Sequence, residues 1–242
     1  MILGFDWAIL AFAFAAVFAG TLLQRLTGQG FGMLAAPLTA LVVPEVLPAA
    51  LLFLGIAVGI GSVSVDPKAL APRELPPGFA GRALGAFLAA WLAARLAEPE
   101  AIAALVGLAV YLGIALSLVG VRVAITPFSL FSAGTLAGVM ATLTAVGAPP
   151  MALLYQHEAR QRATAMQNAF FCWGMIVSVT ALGWAGFLTA QAVIFALLML
   201  PAVPVALWCA RPLARQVAKS AIRPWALGLS GLAATTLLLR LL

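Results

Sequence analysis

Long apolar runs, broken by charged, proline or glycine clusters, divide this sequence into ten segments. Most are close to the roughly 20 residues that a helix needs to cross the hydrocarbon core of a bilayer. They are continuous and rich in Ala and Leu, whereas a membrane barrel shows period-two alternation. The pattern predicts an all-α polytopic membrane protein with 8–10 membrane segments. The segments are 7–26, 31–43, 47–65, 79–96, 101–121, 128–144, 150–156, 163–182, 191–209 and 224–242.

The order of the segments repeats once along the chain. Each half has a long segment, a Gly/Pro break, a short segment and three further long segments, and the two breaks align at an offset of 117 residues. Thr27 then corresponds to Thr144, and Gly30 to Gly147. We therefore expect two repeats in one membrane domain, residues 1–122 and 123–242, each a broken-helix hairpin followed by three transmembrane helices.

Basic residues are distributed unevenly between the two predicted sides of the membrane. Ten lie on or near one side, whereas Arg95 and Arg240 lie on the other. An excess of Lys and Arg marks cytoplasmic loops, so both termini are expected outside, and the halves have opposite orientations, as in many secondary transporters. The ten residues are Lys68, Arg73, Arg82, Arg122, Arg160, Arg162, Arg211, Arg215, Lys219 and Arg223.

The composition supports a membrane protein and excludes several other classes. Of the 242 residues, 64% are hydrophobic and 8% are charged, which leaves too little polar surface for a water-soluble domain. The net charge of +6 arises from basic residues between apolar segments. We interpret these residues as signals that orient the protein in the membrane, and we expect no nucleic-acid partner. Cys172 and Cys209 lie in apolar runs without metal-ligand spacing, so neither a metal nor a cofactor is expected. The segments hold almost no clustered catalytic side chains, which argues against an enzyme.

The two breaks are the candidate binding site. Broken helices at matching positions of two halves point to a transporter's substrate site, and hairpins that enter from opposite sides would meet near the membrane midplane. A helix that begins there has unpaired N–H groups and a partial positive charge. Gly28, Gly30 and Gly147 allow a ligand to approach the backbone closely. Neither break contains Asp or Glu, so the pattern favours a small anion.

Polar side chains in and near the breaks complete this candidate site. The planar guanidinium of Arg25 suits an oxyanion, although Arg25 could instead extend to the membrane surface. Thr142 and Thr144 could instead bond to the preceding turn of their own helix. Gln167 and Asn168 are expected mainly to join helices, with ligand contact as their second possible role. The uncharged candidates are Gln24, Thr27, Gln29, Thr142 and Thr144.

Both breaks resemble motifs of the sulfite exporter TauE/SafE family, also called the toluene sulfonate uptake permease family. Residues 20–32, with Pro37 after them, look like the family's N-terminal Gly-rich motif. Residues 138–150 look like its second motif, commonly Thr-Gly-x-Gly-Gly-Pro-Pro, and add Pro149 to the candidates. Ala145 and Ala148 stand where that motif has glycines. The resemblance implies transport of sulfite, thiosulfate or an organosulfonate across a bacterial-type cytoplasmic membrane.

The leading hypothesis is a secondary transporter that works by alternating access around a midplane site formed by the two broken hairpins. Its expected partners are a small inorganic or organic sulfur oxyanion and the lipid bilayer. A passive anion channel is the alternative, and the sequence does not separate the two.

Overall fold

The computed structural model describes residues 5–63, 67–95, 99–118, 122–216, 228, 230–236 and 238–239. Described residues up to 216 form ten α-helices, residues 230–236 are also helical, and none of the described residues lies in a strand, which confirms the all-α prediction. The helices are α1 (Trp7–Thr27), α2 (Phe31–Ala40), α3 (Ala49–Val63), α4 (Leu75–Ala93), α5 (Pro99–Leu118), α6 (Pro127–Thr144), α7 (Pro149–Tyr155), α8 (Arg160–Trp184), α9 (Ala190–Met199) and α10 (Ala202–Gln216). Short 3₁₀ turns lie at Pro44–Val46, Pro67–Ala69 and Pro72–Glu74.

Local sequence signals account for the ends of the first helix of each half. The Asp6 side chain accepts a hydrogen bond from the N–H of Ala8 at 2.8 Å and caps the start of α1. Thr126 and Ser129 form a reciprocal capping box at the start of α6. Both helices end at a residue in the left-handed conformation, Gly28 with φ 77° and Ala145 with φ 60°. These two positions are the breaks predicted from the sequence.

The second helix of each half is too short to cross a bilayer alone. The ten residues of α2 and the seven of α7 span roughly 15 Å and 10 Å, against about 30 Å of hydrocarbon core. Both helices are almost wholly buried in protein. Interrupted helices at membrane depth require this protein environment, because lipid satisfies no backbone hydrogen bond.

The ninth predicted segment is two helices rather than one. Pro201 separates α9 from α10, because proline has no N–H for the helical ladder. The pair still counts as one apolar stretch, Ala190–Leu213, and α10 continues past the predicted end at residue 209. Much of the tenth predicted segment lies outside the described residues, although 230–236 are helical.

The helices pack into one bundle around α3 and α8, which run against each other. On one flank α4 packs closely along α6 and also touches α8, while on the other α1 packs along α2 and α10. Glycines bring α4 and α6 together: Gly81 meets the carbonyl of Phe131, and Gly85 meets that of Thr135. This close approach carries the middle of α4 into the interior beside the second break.

The outer surface of the bundle is apolar. Phe128, Trp184 and Trp208 are among the large apolar side chains that are more than two-thirds exposed, as expected where lipid replaces water. In the described part of the chain, four stretches are long and apolar enough to cross a membrane. They are Trp7–Thr27, Pro127–Thr144, Arg160–Trp184 and Ala190–Leu213.

Candidate functional site

The two breaks lie in direct contact inside the bundle. Gly32, in the first turn of α2, faces the backbone of the second break so closely that an ideal Cβ there would lie 2.9 Å from the carbonyl carbon of Ala145. The same Cβ would lie 3.2 Å from the Cα of Val146. The two breaks therefore converge on one place inside the bundle, as expected from the sequence.

The breaks also share their local hydrogen bonds at the offset of 117 residues. Thr27 Oγ1 donates to the carbonyl of Leu23 at 2.9 Å, and Thr144 Oγ1 donates to that of Met140 at 2.6 Å. Each hydroxyl also accepts a backbone N–H two residues later, from Gln29 and Val146 respectively, at 3.2 and 3.1 Å. Both threonines thus fix the path of the break, and Thr144 forms the bond to its own helix that the sequence left as an alternative.

Gln24 holds the first break together. Its Nε2 donates to the carbonyl of Gly28 at 2.9 Å and to Asn168 Oδ1 on α8 at 3.0 Å, while its Oε1 accepts from the N–H of Phe31 at 3.3 Å. Both hydrogens of the amide are therefore used within the protein. Asn168 takes the helix-joining role predicted for it. On the other side of the site, Thr142 Oγ1 pairs with Ser178 Oγ at 2.8 Å.

A small cavity lies where the breaks meet helices α4, α6 and α8. Its volume is about 20 Å³. By the same measure a single water molecule needs roughly 10–15 Å³, so the cavity holds little more than one water-sized group. The residues that line it are Gly28, Gly78, Arg82, Gly134, Ala137, Gly147, Ala148, Met151, Gln167, Phe170, Phe171 and Met175. The two breaks thus line one shared cavity, which is too small in this conformation for an anion as large as sulfite.

Arg82 is the charged side chain among these lining residues, and it is only 4% exposed. Its Nη1 donates a hydrogen bond to the carbonyl of Ala137 on α6. Gly174 on α8 makes room for it, since an ideal Cβ there would lie 2.6 Å from Nη2 and 2.7 Å from Cζ. None of the described acidic side chains forms an ion pair with Arg82. The guanidinium is therefore buried beside the breaks, with no counter-charge from the described part of the chain.

Arg82 was expected among the basic residues on or near the cytoplasmic side, but it is buried inside the protein and is not a loop residue. Helix α4 begins at Leu75, one turn before the predicted start at Phe79, so Arg82 lies about two turns inside it. Close packing of α4 on α6 then buries the guanidinium. The available signal was a lone charge inside an apolar segment, which by default marks a functional site.

The structure brings two of the ten candidate residues, Gly28 and Gly147, to the cavity wall. Arg25 is partly buried and is not without an interaction partner. Gly30 has φ 127° and faces Leu23, and Pro149 packs against Gly113 of α5. Gln29 is partly buried, and its Oε1 has no hydrogen-bond partner. The candidates that are not among the lining residues of this cavity are Gln24, Arg25, Thr27, Gln29, Gly30, Thr142, Thr144 and Pro149.

The structure gives little support to the expectation that unpaired N–H groups at the starts of α2 and α7 bind an anion. Pro149 and Pro150 occupy the first two positions of α7 and have no N–H groups to offer. At the start of α2 the N–H of Phe31 already bonds to Gln24. Positive charge at the site comes mainly from Arg82, which the sequence analysis did not include among the candidates.

These features define a class: a multi-pass helical membrane protein whose two interrupted hairpins meet beside a buried cation. The chain belongs to the sulfite exporter TauE/SafE family, whose profile matches residues 12–237. This confirms the resemblance seen at the two breaks. The family is one of membrane transporters for sulfite and related sulfur compounds, so the chain is a transporter and not an enzyme. No curated protein and no solved structure matches the chain significantly.

Proposed function

We propose that this chain is a secondary transporter for a small sulfur oxyanion such as sulfite, thiosulfate or an organosulfonate, and that the anion binds where the two breaks meet. The observation that carries this proposal is the cavity lined by Gly28, Gly147 and the buried guanidinium of Arg82. Arg82 has no counter-charge among the residues that the structure describes. A buried unpaired cation is costly, and a bound oxyanion supplies the missing charge. Its oxygens also match the planar donors of a guanidinium.

Alternating access accounts for the closed form of this site. The cavity is too small for a sulfur oxyanion, so binding requires a second conformation in which the site is wider. The two breaks are suited to such a change, because each is an interrupted hairpin whose short second helix begins in the interior. A passive channel would instead need a continuous pore.

Two inverted repeats, residues 1–122 and 123–242, fit this mechanism. The equivalent hydroxyl hydrogen bonds of Thr27 and Thr144, and the equivalent left-handed residues Gly28 and Ala145, support an internal repeat at a spacing of 117 residues. The packing of α4 along α6 is matched by that of α10 along α1. We therefore retain both hairpins as the moving parts of the transporter.

The orientation proposed from the sequence survives the reassignment of Arg82. Without it, nine basic residues remain on or near the proposed cytoplasmic side, against Arg95 and Arg240 on the other. This bias favours an orientation with both termini outside. The bacterial-type cytoplasmic membrane is proposed from the family to which the chain belongs.

The remaining candidates are proposed to shape the site and to guide the anion. Gln24, Thr27, Thr142 and Thr144 make hydrogen bonds within the protein and would hold the breaks in position. Gln29 Oε1 has no hydrogen-bond partner, and Arg25 carries a positive charge near the same break. Both side chains would therefore act on the anion as it enters or leaves. Gly30 and Pro149 set the backbone path.

Counterflow into proteoliposomes tests the proposal without assuming a direction of transport. Vesicles preloaded with unlabelled sulfite, thiosulfate or methanesulfonate should transiently accumulate the same anion in labelled form. Vesicles preloaded with chloride instead should not. A channel gives no such accumulation, because it does not exchange bound substrate. Absence of counterflow with every sulfur anion, in protein that remains folded, would contradict the proposal.

A cavity-filling variant ties transport to the site. Ala148→Leu places a larger side chain in the cavity wall at a partly exposed position, so it should abolish counterflow while the protein stays folded. Ala159→Leu is the matched control, because Ala159 is exposed before α8 and away from the lining residues. Equal counterflow in the two variants would place the transport path elsewhere.

A further inference from the structure

Arg82 faces an unusually neutral environment for a buried guanidinium. The other residues that line its cavity are glycine, alanine, methionine, phenylalanine and one glutamine, all of them uncharged. Its described hydrogen bond goes to a backbone carbonyl, which carries no net charge. The site therefore has a net charge of +1 before any ligand enters.

The charge of the ligand then determines how well it fits. One negative charge neutralises Arg82, and the pair is buried as a neutral unit. A second negative charge finds no second cation and remains uncompensated in a low-dielectric interior, where each unpaired ion costs several kcal/mol. In water a doubly charged anion is hydrated more strongly than a singly charged one, so it also loses more hydration on entering the buried site.

Gln167 strengthens this preference without changing the net charge. It lines the same cavity, it is 4% exposed, and its Oε1 has no hydrogen-bond partner. An amide offers an acceptor for a hydroxyl or, turned over, two donors for an anion oxygen. Either orientation stabilises a polar group of the ligand, and neither compensates an additional negative charge.

We infer that the site selects singly charged sulfur oxyanions, with Arg82 as their counter-ion and Gln167 as a neutral hydrogen-bonding partner. Hydrogen sulfite and alkanesulfonates are its ligands, and the doubly charged sulfite, thiosulfate and sulfate ions bind poorly. The inference rests on the proposed function and narrows its substrate class.

The first test uses the unmodified full-length protein in detergent and measures the dissociation constants of three anions. Methanesulfonate carries one charge and sulfate carries two throughout mildly acidic to mildly alkaline pH, whereas sulfite passes from one charge to two. The dissociation constant of methanesulfonate should be at least about tenfold lower than that of sulfate, a difference in binding free energy of about 1.4 kcal/mol or more. Sulfite affinity should fall as pH rises, while methanesulfonate affinity stays constant.

The second test assigns the charge preference to Arg82. Arg82→Gln should weaken methanesulfonate binding about a hundredfold and remove the difference between methanesulfonate and sulfate. Arg82→Lys keeps the charge and should retain the preference at lower affinity, because an ammonium lacks the planar fork. Arg73→Gln, at an exposed site just before α4, is the matched control and should behave as the unmodified protein.

The outcomes separate this inference from the proposed function. If sulfate binds as tightly as methanesulfonate, or if folded Arg82→Gln keeps the preference, the inference is overturned while the transporter proposal stands. If no sulfur anion binds the unmodified protein, both fail. A purely structural role for Arg82 would lower stability in the variants but would leave the charge preference and the pH profile of sulfite binding unchanged.

Discussion

Gly32 lies directly against the carbonyl group of Ala145, so the two breaks touch through backbone atoms with no side chain between them. An ideal Cβ on Gly32 would come within 2.9 Å of the carbonyl carbon and closer still to its oxygen. Only glycine allows this approach, because any Cβ would overlap a group that cannot rotate away. The contact joins the first hairpin to the second at the proposed binding site.

Gly32→Ala should therefore separate the breaks or unfold the site. Overpacking against backbone costs about 1–3 kcal/mol, so we expect a lower melting temperature in detergent and strongly reduced counterflow. Gly231→Ala is a suitable control, since its Cβ would meet only Ile114 Cδ1 at an ordinary 3.4 Å. Normal stability and transport of Gly32→Ala would show that the breaks do not need this contact.

Most of the architecture could be predicted because it follows from local properties of the sequence. Long apolar runs specify helices in lipid, and the Gly/Pro clusters after Leu26 and Thr144 mark where those helices must stop. Pro201 could also have predicted that the ninth segment is divided into two helices, but the mean hydropathy stays high on both sides of this proline, so Ala190–Leu213 counts as one apolar stretch. Hydropathy averages over a window, so it finds spans better than it finds their interruptions.

The charged part of the site could not be predicted in the same way. Whether Arg82 faces water or the interior depends on how α4 packs on α6, and on the space that Gly174 leaves on a distant helix. A count of charges near segment ends treats every arginine there as a surface residue. Likewise, Gln24 looked like a ligand because it is polar and lies near a break, yet its amide hydrogens are used by Gly28 and Asn168.

Gly174→Ala should weaken substrate binding by displacing the guanidinium of Arg82. The new Cβ would overlap Nη2 and Cζ of Arg82, whose long side chain can shift while the fold remains intact. We expect the dissociation constant for methanesulfonate to rise about tenfold, equivalent to about 1.4 kcal/mol. Gly183→Ala on the same helix meets only the flexible Leu188 side chain and should bind normally. Similar affinities in both variants would contradict this role of Gly174.

Gln24→Leu should affect stability more than substrate binding. The substitution leaves Asn168 Oδ1 and the carbonyl of Gly28 without their donor in a buried region, which costs about 1–3 kcal/mol for each unsatisfied group. In a double-mutant cycle with Asn168→Leu, the coupling energy should reach about 0.5–3 kcal/mol, measured by thermal unfolding. Additive effects on stability, together with a large loss of affinity, would instead favour the ligand role predicted for Gln24 from the sequence.

Tyr155 should stabilise the second hairpin through a hydrogen bond to Glu74, just before α4. Its buried hydroxyl donates to Glu74 Oε2 at 2.7 Å, and Glu74 also pairs with Arg162 at the beginning of α8. Tyr155→Phe removes a hydrogen bond to a charged group and should lower stability by about 1.5–3 kcal/mol without changing the affinity for methanesulfonate. Glu158→Gln breaks only the more exposed 2.8 Å pair with Arg162, one turn apart on the chain, and should cost about 0.3–0.5 kcal/mol. Equal melting temperatures for the two variants would mean that the Tyr155–Glu74 bond does not hold α7 against α4.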